Sequence, residues 1–308
     1  MIYVIIVTYN GAHWVENCFG SLAKSTTPVK VLAIDNASTD GTAEKIRQLF
    51  PDVELIASQI NLGFGKANNI GFLKALEHGA DYFFLLNQDA WIEPDTIEQL
   101  VQVSQARPEF GILSPLHLNG NGTGLDANFE ANVNYYICPN IISDTFLKNI
   151  KSVYATKFVN AAAWLVTVDC IKKVGGFDPI FSHYSEDNDY INRTLFHGFS
   201  VGIVPKAIIY HDRTCKSSRQ IELDPNRLVN NNIVRLKRYP NTFTSNFIGF
   251  LKEQMFFLVK YTMLFDLKRL QSQVLAFVRT IFMLKRIIKA KKMFVLESSV
   301  ILLSEKYE

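Results

Sequence analysis

Apolar runs of strand length recur along the N-terminal part of the chain, and polar segments of helix length separate them. The runs cover residues 3–8, 29–35, 53–58, 82–86 and 111–116. They are rich in Val, Ile, Leu and Phe, as is typical of strands that are buried on both faces of a sheet. The alternation of such strands with helices predicts an α/β fold with a mostly parallel sheet and flanking helices.

Helix boundaries follow from capping residues, glycines and prolines. Ser38 or Thr39 is the expected N-cap of a helix that ends before Pro51. A second helix opens in the glycine-containing loop at residues 61–69, and a third covers residues 94–106.

Polar and small side chains follow three of the predicted strands, at the points where the strands end. They are Thr8, Tyr9 and Asn10 after the first strand, Asp35, Asn36 and Ser38 after the second, and Asn87, Gln88 and Asp89 after the fourth. Because parallel strands end at one edge of a sheet, where α/β proteins bind ligands, we expect these residues to lie together. Oxygen ligands at that edge suit a hard divalent cation that carries a diphosphate. The pattern therefore indicates a metal and sugar-nucleotide site.

The loop after the third strand contains a Gly-x-Gly pair, Gly63 and Gly65, at the start of a helix that offers backbone N–H groups to a negative charge. It is not Gly-x-Gly-x-x-Gly, and no Walker A pattern occurs, so a dinucleotide fold is disfavoured. A simpler explanation of Asp89 or Asp95 stays open, because either residue could cap the helix that follows Pro94.

The second half of the chain carries a further group of acidic residues. Residues 160–168 predict a strand whose small first residues leave room for an acceptor. Ser185 is the expected cap of a helix that carries Glu186, Asp187 and Asp189 in its first turn. Two explanations stay open. The carboxylates complement the helix dipole, or one of an adjacent pair has a raised pKa and acts as a base.

Six motifs occur in order within roughly residues 1–215: VIIVTYNG, AIDNASTDGT, NLGFGKANN, LLNQDA, GGFDPIF and SEDNDYINR. Together they resemble the family 2 inverting glycosyltransferases, and most closely the bacterial rhamnosyltransferase-like branch that builds surface polysaccharides. The resemblance implies a nucleotide-diphospho-sugar transferase fold of the GT-A type. It also implies Mg²⁺ or Mn²⁺ as cofactor.

The resemblance implies a role for each matching residue on the donor side. Thr8, Tyr9 and Asn10 would border the base and ribose, Asp35 would accept a hydrogen bond from the base with Asn36 and Ser38 beside it, and Asn61, Gly65 and Asn68 would line the base and ribose. Asp89 would ligate the metal that bridges the two phosphates. Asn87 stands where the family has the first acid of Asp-x-Asp, so one carboxylate ligand remains, although an amide oxygen can still serve.

On the acceptor side the resemblance implies that Asp187 is the general base, with Glu186 tuning it or holding the acceptor. His211, which follows the apolar run 207–210, would be a second metal ligand. Arg193 and Arg213 would either meet diphosphate oxygens or pair with the acidic residues of the predicted helix.

Charge is unevenly distributed over the 308 residues. Residues 1–224 contain 17 Lys and Arg against 24 Asp and Glu, whereas residues 225–308 contain 15 against 5. The tail interleaves cations with apolar groups, which predicts amphipathic helices and no run long enough to span a membrane. The tail either packs on the catalytic domain or lies on an anionic membrane surface. The second is favoured because such enzymes often act on lipid-linked sugars. No stacking or basic groove motif accompanies the charge, so we expect no nucleic-acid partner.

These observations predict a catalytic domain at 1–224, with a nucleotide-sugar half at 1–118 and an acceptor half at 119–224, followed by a basic tail at 225–308. Residues 119–134, rich in Gly and Asn, predict a mobile loop.

The predicted function is inverting transfer from a nucleotide-diphospho-sugar, with dTDP-rhamnose as a candidate, to a hydroxyl of a glycan or lipid-linked acceptor. An inactive sugar-nucleotide-binding protein is the alternative, supported by Asn87. A sugar nucleotidyltransferase is disfavoured because TYNGAHW replaces the basic glycine-rich loop expected after the first strand. Four scattered cysteines without metal spacing indicate reduced thiols and a cytoplasmic protein, peripheral on the inner face of the membrane.

Overall fold

The computed structural model describes residues 1–181, 183–213 and 223–293. Its strands are β1 (Ile2–Thr8), β2 (Lys30–Asp35), β3 (Glu54–Ala57), β4 (Tyr82–Asn87), β5 (Ala90–Ile92), β6 (Phe110–Asn119), β7 (Tyr154–Ala155), β8 (Ala163–Thr167) and β9 (Ser200–His211). The helices of the first 200 residues are α1 (Val15–Leu22), α2 (Thr42–Leu49), α3 (Phe64–Glu77), α4 (Thr96–Ala106), α5 (Ala127–Glu130), α6 (Ile141–Phe146), α7 (Val168–Val174) and α8 (Glu186–Phe196). The tail contains α9 (Pro225–Lys237), α10 (Phe243–Met263), α11 (Leu267–Phe282) and α12 (Leu284–Met293).

The strands form one mixed sheet in the order β3-β2-β1-β4-β8-β6-β9-β5, with β7 beside β9. The first four strands pair in parallel, which places the carboxyl ends of β1, β2 and β4 at one edge as predicted. β8 runs antiparallel between β4 and β6, and β6 pairs in parallel with β9. The α/β prediction is confirmed, and three strands run antiparallel to their neighbours: β5, which pairs with β9, β7, which also pairs with β9, and β8.

Helices cover both faces of the sheet because successive side chains of each strand point to opposite sides. On one face Ile5 joins an apolar layer with Phe72 of α3, and on the other Val4 packs in a layer with Phe19 of α1. These residues are at most 2% exposed. The core therefore fixes the strand ends rigidly beneath the polar loops.

Two local predictions are wrong. Neither Ser38 nor Thr39 caps a helix, because α2 begins at Thr42 after Gly41 and Ser38 hydrogen-bonds to the preceding strand. Residues 119–134 are not loop throughout, because the Asp126 carboxylate caps α5 and Phe129 is 1% exposed. The sequence did not predict the short α5 because the surrounding Gly and Asn residues favour loops.

The tail is helical as predicted, and its helices enclose a third apolar cluster. Phe181 packs there with Ile233 of α9, Phe250 of α10, Ala276 of α11 and Ile287 of α12. Within the residues that the structure describes, no helix is long and apolar enough to cross a membrane. The division of the chain at residue 224 stays a prediction.

Candidate active site

The ends of β1 and β2 are joined through Asp35, the last residue of β2. Its Oδ1 accepts hydrogen bonds from Thr8 Oγ1 at 2.8 Å and from Ser38 Oγ at 2.6 Å, and its Oδ2 accepts from the Ser38 N–H at 3.0 Å. Asp35 is 3% exposed. The carboxylate thus fixes the shape of the loop that follows the strand.

Gln88 joins the end of β4 to the end of β1. Its Oε1 accepts from the Tyr9 N–H at 2.9 Å, and its Nε2 donates to the Tyr9 carbonyl at 3.0 Å. A Cβ at Gly11 would lie 2.3 Å from Gln88 Oε1, so this approach requires glycine. The Asn10 side chain accepts from the Thr39 N–H at 2.8 Å, so both loops are held to β1. The Tyr9 side chain remains 47% exposed at this edge.

Asn36 attaches the glycine loop to the same edge. Its Oδ1 accepts from the Leu62 N–H at 3.2 Å, and its Nδ2 donates to the Gly63 carbonyl at 3.3 Å. Asn61 accepts from the Gly63 N–H at 2.9 Å. Polar side chains therefore determine how the loop enters α3.

The first turn of α3 packs closely on the acceptor half. A Cβ at Gly65 would lie 3.0 Å from Phe177, so a small residue is needed there. Asn68 is 1% exposed and donates to the Phe64 carbonyl at 3.0 Å. In this structure Asn68 serves the helix, and its contact with a donor stays a prediction.

A cleft of about 490 Å³ lies between the end of β4 and the start of α8. It brings Asn87 together with Glu186 and Asp187. Its wall also includes Phe64, Asn128, Asn132, Asn160, Ala161, Ala162, Tyr184, Arg213, Arg227 and Asn231. Thr8, Asp35 and the other residues of the β1–β2 edge are not part of this wall. The cleft therefore unites one member of the predicted donor set with the predicted acceptor residues.

Glu186 and Asp187 begin α8 in an environment that favours protonated carboxyls. Glu186 is 7% exposed, and its Oε2 has no hydrogen-bond partner among the described residues. Burial, together with the charge of Asp187, raises the pKa of Glu186 to about 8. Burial also raises the pKa of Asp187, although the Asn188 N–H donates to its Oδ1 at 2.8 Å. The pair can hold and release a proton near neutral pH.

Ser185 does not cap α8 through its side chain. It occupies the N-cap position with φ 71°, and its hydroxyl donates to Asn231 Oδ1 of α9 at 3.1 Å. The prediction of a Ser185 cap is wrong because the hydroxyl faces the tail. A residue of the tail thus contacts the chain segment that leads into the acidic pair.

A buried cluster of ion pairs joins α8 to α9. Asp189 Oδ2 lies 2.8 Å from Arg193 Nε, and Asp189 Oδ1 lies 2.6 Å from Nζ of Lys237, the last residue of α9. Lys237 also pairs with Asp178. Burial opposes ionisation of Asp189, but the charges of Lys237 and Arg193 hold its pKa below the ordinary value. The cluster therefore carries two cations and two anions.

The two arginines are each paired with a carboxylate. Arg193 is 0% exposed and donates to the Val174 and Gly176 carbonyls, so its predicted contact with donor phosphates is wrong. Of the two predicted alternatives, pairing with Asp189 is the one observed. Arg213 lines the cleft but donates to both oxygens of Asp126, at 3.0 and 2.8 Å.

Asp89 and His211 lie side by side where β4 and β9 end. Asp89 Oδ1 is 3.2 Å from His211 Nε2, and Asp126 Oδ2 is 3.6 Å from His211 Nδ1. The imidazole is 1% exposed, and neither ring nitrogen makes a hydrogen bond in the described part of the chain. Asp95, not Asp89, occupies the N-cap position of α4, without a side-chain cap.

Asp89 and the His211 imidazole suit a divalent cation that takes its remaining ligands from phosphate and water. No group of three or more His, Cys, Asp and Glu side chains that could hold a metal ion occurs within residues 1–181, 183–213 and 223–293. A metal would therefore depend on the donor's own oxygens.

Sequence reasoning missed Asp126, Lys237 and the cleft residues of α9. Asp126 lies in the segment predicted as a mobile loop, and the two cleft residues of α9, Arg227 and Asn231, lie in the tail that was assigned no part in the site. None of these residues follows a predicted strand, so the sequence carried no signal for them.

The chain is similar to known sugar transferases. Residues 3–145 match the family model described as Glycosyl transferase family 2. An N-acetylglucosaminyl-diphospho-decaprenol L-rhamnosyltransferase of Mycobacterium tuberculosis is 26% identical over 237 residues, which cover 70% of this chain and 77% of that protein. A dTDP-rhamnosyl transferase of Shigella flexneri is 24% identical over 216 residues, covering 68% of each chain.

Among solved structures, a mannosyltransferase from Pyrobaculum calidifontis in complex with GDP-Man and Mn²⁺ superposes with a TM-score of 0.58. The match has 17% sequence identity and covers 98% of this chain and 85% of that one. At this identity the likeness shows the fold alone.

Replacing Lys237 with Met should destabilise the protein by about 3–5 kcal/mol, because two buried carboxylates lose a shared cation. Urea unfolding measures the change. Lys252→Met, at an exposed position of α10, is the control, and its free energy of unfolding should stay within about 0.5 kcal/mol of the wild type. Adding Asp178→Asn to Lys237→Met should restore part of the lost stability, because it removes one of the two unpaired carboxylates. A loss below about 1 kcal/mol for Lys237→Met would show that the cluster does not hold the tail to α8.

Stability should depend on pH through Glu186. Its pKa is raised from 4.5 to about 8 in the folded protein, so the folded state binds more protons than the unfolded state between these values. Stability contributed by this group is therefore lost as pH rises through that window. Glu186→Gln should be more stable than the wild type by a few kcal/mol above pH 8 and nearly equal below pH 4.5. Exposed Glu130→Gln should leave the profile unchanged, and a Glu186→Gln profile parallel to the wild type would contradict the burial argument.

Proposed function

We propose that this chain is a family 2 glycosyltransferase of the rhamnosyltransferase-like branch and that it transfers a sugar, with inversion, from a nucleotide-diphospho-sugar to an acceptor hydroxyl. The observation that carries the proposal is the acidic pair Glu186–Asp187, which has raised pKa values and lies in a cleft that begins at the carboxyl end of β4. We place this transfer in cell-surface polysaccharide synthesis, because the relatives are rhamnosyltransferases and a succinoglycan biosynthesis protein.

In the proposed reaction Asp187 takes the proton of the acceptor hydroxyl as its oxygen attacks the anomeric carbon, opposite the leaving diphosphate. Asp187 is assigned the base because it keeps part of its surface on the cleft, whereas Glu186 is buried. Glu186, protonated at neutral pH, donates a hydrogen bond to the acceptor or to Asp187. Inversion follows from this single displacement.

The nucleotide is proposed to bind along the β1–β2 edge. Thr8, Tyr9, Asn10, Asn36 and Ser38 would border the base and ribose, Asp35 would accept from the base, and Asn61, Gly65 and Asn68 would line the same side. This proposal is supported by the hydrogen bonds that join these loops. dTDP-rhamnose is the candidate donor, because both named relatives transfer rhamnose.

Asp89 and His211 are proposed to hold Mg²⁺ or Mn²⁺, with Asn87 beside the donor sugar. A metal bound there would neutralise the charge that develops on the leaving diphosphate. The protein itself would orient the two metal-binding side chains. The Asp212 N–H donates to the Asp89 carbonyl at 2.8 Å and holds the β9 end beside that residue.

The acceptor is proposed to be a glycan or a lipid-linked sugar that reaches the cleft past α9. The proposed setting is the cytoplasmic face of the membrane, with the basic tail against anionic lipids. Two observations support it. One named relative acts on a diphospho-decaprenol-linked sugar, and the tail is strongly cationic. The inactive-binder alternative differs in one outcome, because it predicts donor binding without turnover.

Asp89→Ala should abolish the increase that Mn²⁺ gives to nucleoside diphosphate affinity, a loss of at least about tenfold as for partners of other metal sites. Calorimetric titration of dTDP, UDP and GDP with and without Mn²⁺ measures it. Asp95→Ala, at the N-cap position of α4, is the control and should bind the nucleoside diphosphates as the wild type does. An unchanged Mn²⁺ effect in Asp89→Ala would remove this residue from the metal site.

Asp187→Asn should lower kcat by about 10² to 10⁴ with donor affinity near wild type, because the amide keeps the shape but cannot take a proton. Release of nucleoside diphosphate per folded molecule is the measurement. The helix-dipole explanation predicts instead a stability loss of about 1 kcal/mol or less and unchanged turnover. If Glu186→Gln is inactive and Asp187→Asn active, the base is Glu186.

A further inference from the structure

The helix α10 has polar side chains on its buried side and apolar side chains on its exposed side, whereas a helix on the surface of a water-soluble domain usually shows the opposite arrangement. Its buried side carries Asn246, Phe250, Gln254 and Tyr261, of which two are amides. Its outer side is apolar, with exposed fractions of 50% for Ile248, 40% for Leu251, 62% for Met255, 61% for Phe256, 50% for Val259 and 74% for Met263. Six large apolar side chains of α10 thus point away from the protein.

Hydrogen bonds between amides fix this orientation. Gln273 of α11 donates to Gln254 Oε1 at 2.9 Å, and Gln254 donates to Asn232 Oδ1 of α9 at 3.2 Å. Asn232 in turn donates to Thr280 Oγ1 at 3.0 Å. Rotating α10 to bury its apolar side would leave these buried amides without partners, which is costly. The outward apolar face is therefore built into the packing.

The apolar face continues around the turn into α11. Leu264, Phe265 and Leu267 are 61%, 88% and 74% exposed, and Phe282 at the end of α11 is 85% exposed. Val274, Leu275 and Val278 are also exposed. Contiguous apolar surface of this kind in a water-soluble domain marks an interaction site. We call the outer surface of residues 248–282 the apolar tail face.

The unpaired charges on the apolar tail face are all positive. The acids on α10 and at the start of α11 are both paired, Glu253 with Arg235 and Asp266 with Arg269. Lys252, Lys260 and Lys268 are exposed, and no ion pair is seen for them within residues 223–293. The face therefore offers apolar groups and uncompensated positive charge.

We propose that the apolar tail face docks on an anionic membrane surface, with Phe256 and Phe265 inserted below the headgroups and the three lysines at headgroup level. Anionic lipids complement both features, whereas two copies of this face would bring like charges together. The proposal rests on the proposed function for its purpose, since docking would bring the cleft to a lipid-linked acceptor. Its physical basis is independent of that function.

Full-length protein is sedimented with phosphatidylcholine vesicles that do or do not contain phosphatidylglycerol. The wild type should bind the anionic vesicles and release from them as salt rises. Phe256→Ser with Phe265→Ser should weaken partition at least tenfold on both compositions. Lys252→Glu with Lys260→Glu should weaken it only on anionic vesicles. Leu49→Ser, on α2 with 44% exposure, is the control and should bind as the wild type does.

The unfolding midpoint and nucleoside diphosphate binding of each variant separate docking from the proposed function, because none of these residues lies in the cleft. Lost vesicle binding with both of those unchanged supports docking, whether or not turnover is ever found. Three results would overturn the proposal. They are wild-type protein that does not sediment with anionic vesicles, binding unaffected by the phenylalanine substitutions, or a lipid-free dimer that those substitutions dissociate.

Discussion

The buried cluster of Asp178, Asp189, Arg193 and Lys237 is the constraint on which the candidate site depends. Asp189 stands in the first turn of α8, and its ion pair with Lys237 joins that turn to the end of α9. Breaking such a buried pair leaves a charge without compensation, and the assembly is therefore stable only as a whole. Because Lys237 closes α9, the tail is part of the support of the acidic pair.

The approach to α8 is strained as well as buried. Tyr184 and Ser185 both have positive φ, at 69° and 71°, in a region that costs non-glycine residues about 1–3 kcal/mol each. The Asn230 side chain of α9 donates to the Tyr184 carbonyl at 3.1 Å and holds this segment. Strain that the surroundings compensate is typical of functional sites. Here it brings Glu186 and Asp187 to the wall of the cleft, where loss of water raises their pKa values.

Sequence alone predicted the parallel half of the sheet, because buried strands and their polar ends leave a clear pattern at Asp35 and Asp89. Sequence reasoning failed where a polar side chain has more than one possible partner. Ser38 looks like a cap but serves Asp35, and Arg193 looks like a phosphate ligand but is neutralised by a residue four positions earlier. Lys237 carries no local signal, since its two carboxylates come from other segments. Composition located the tail's charge, whereas its outward apolar face required the packing of three helices.

The proposed inverting transfer by one displacement in the cleft fixes the anomeric configuration of the product, and that configuration can be measured. Purified protein would be offered dTDP-, UDP- and GDP-sugars with vesicles that carry a sugar diphospholipid, and proton NMR would read the configuration of the transferred sugar. We expect a configuration opposite to that of the donor, because a single base-assisted attack occurs from the face opposite the diphosphate. A product with the donor's configuration would rule out a single displacement.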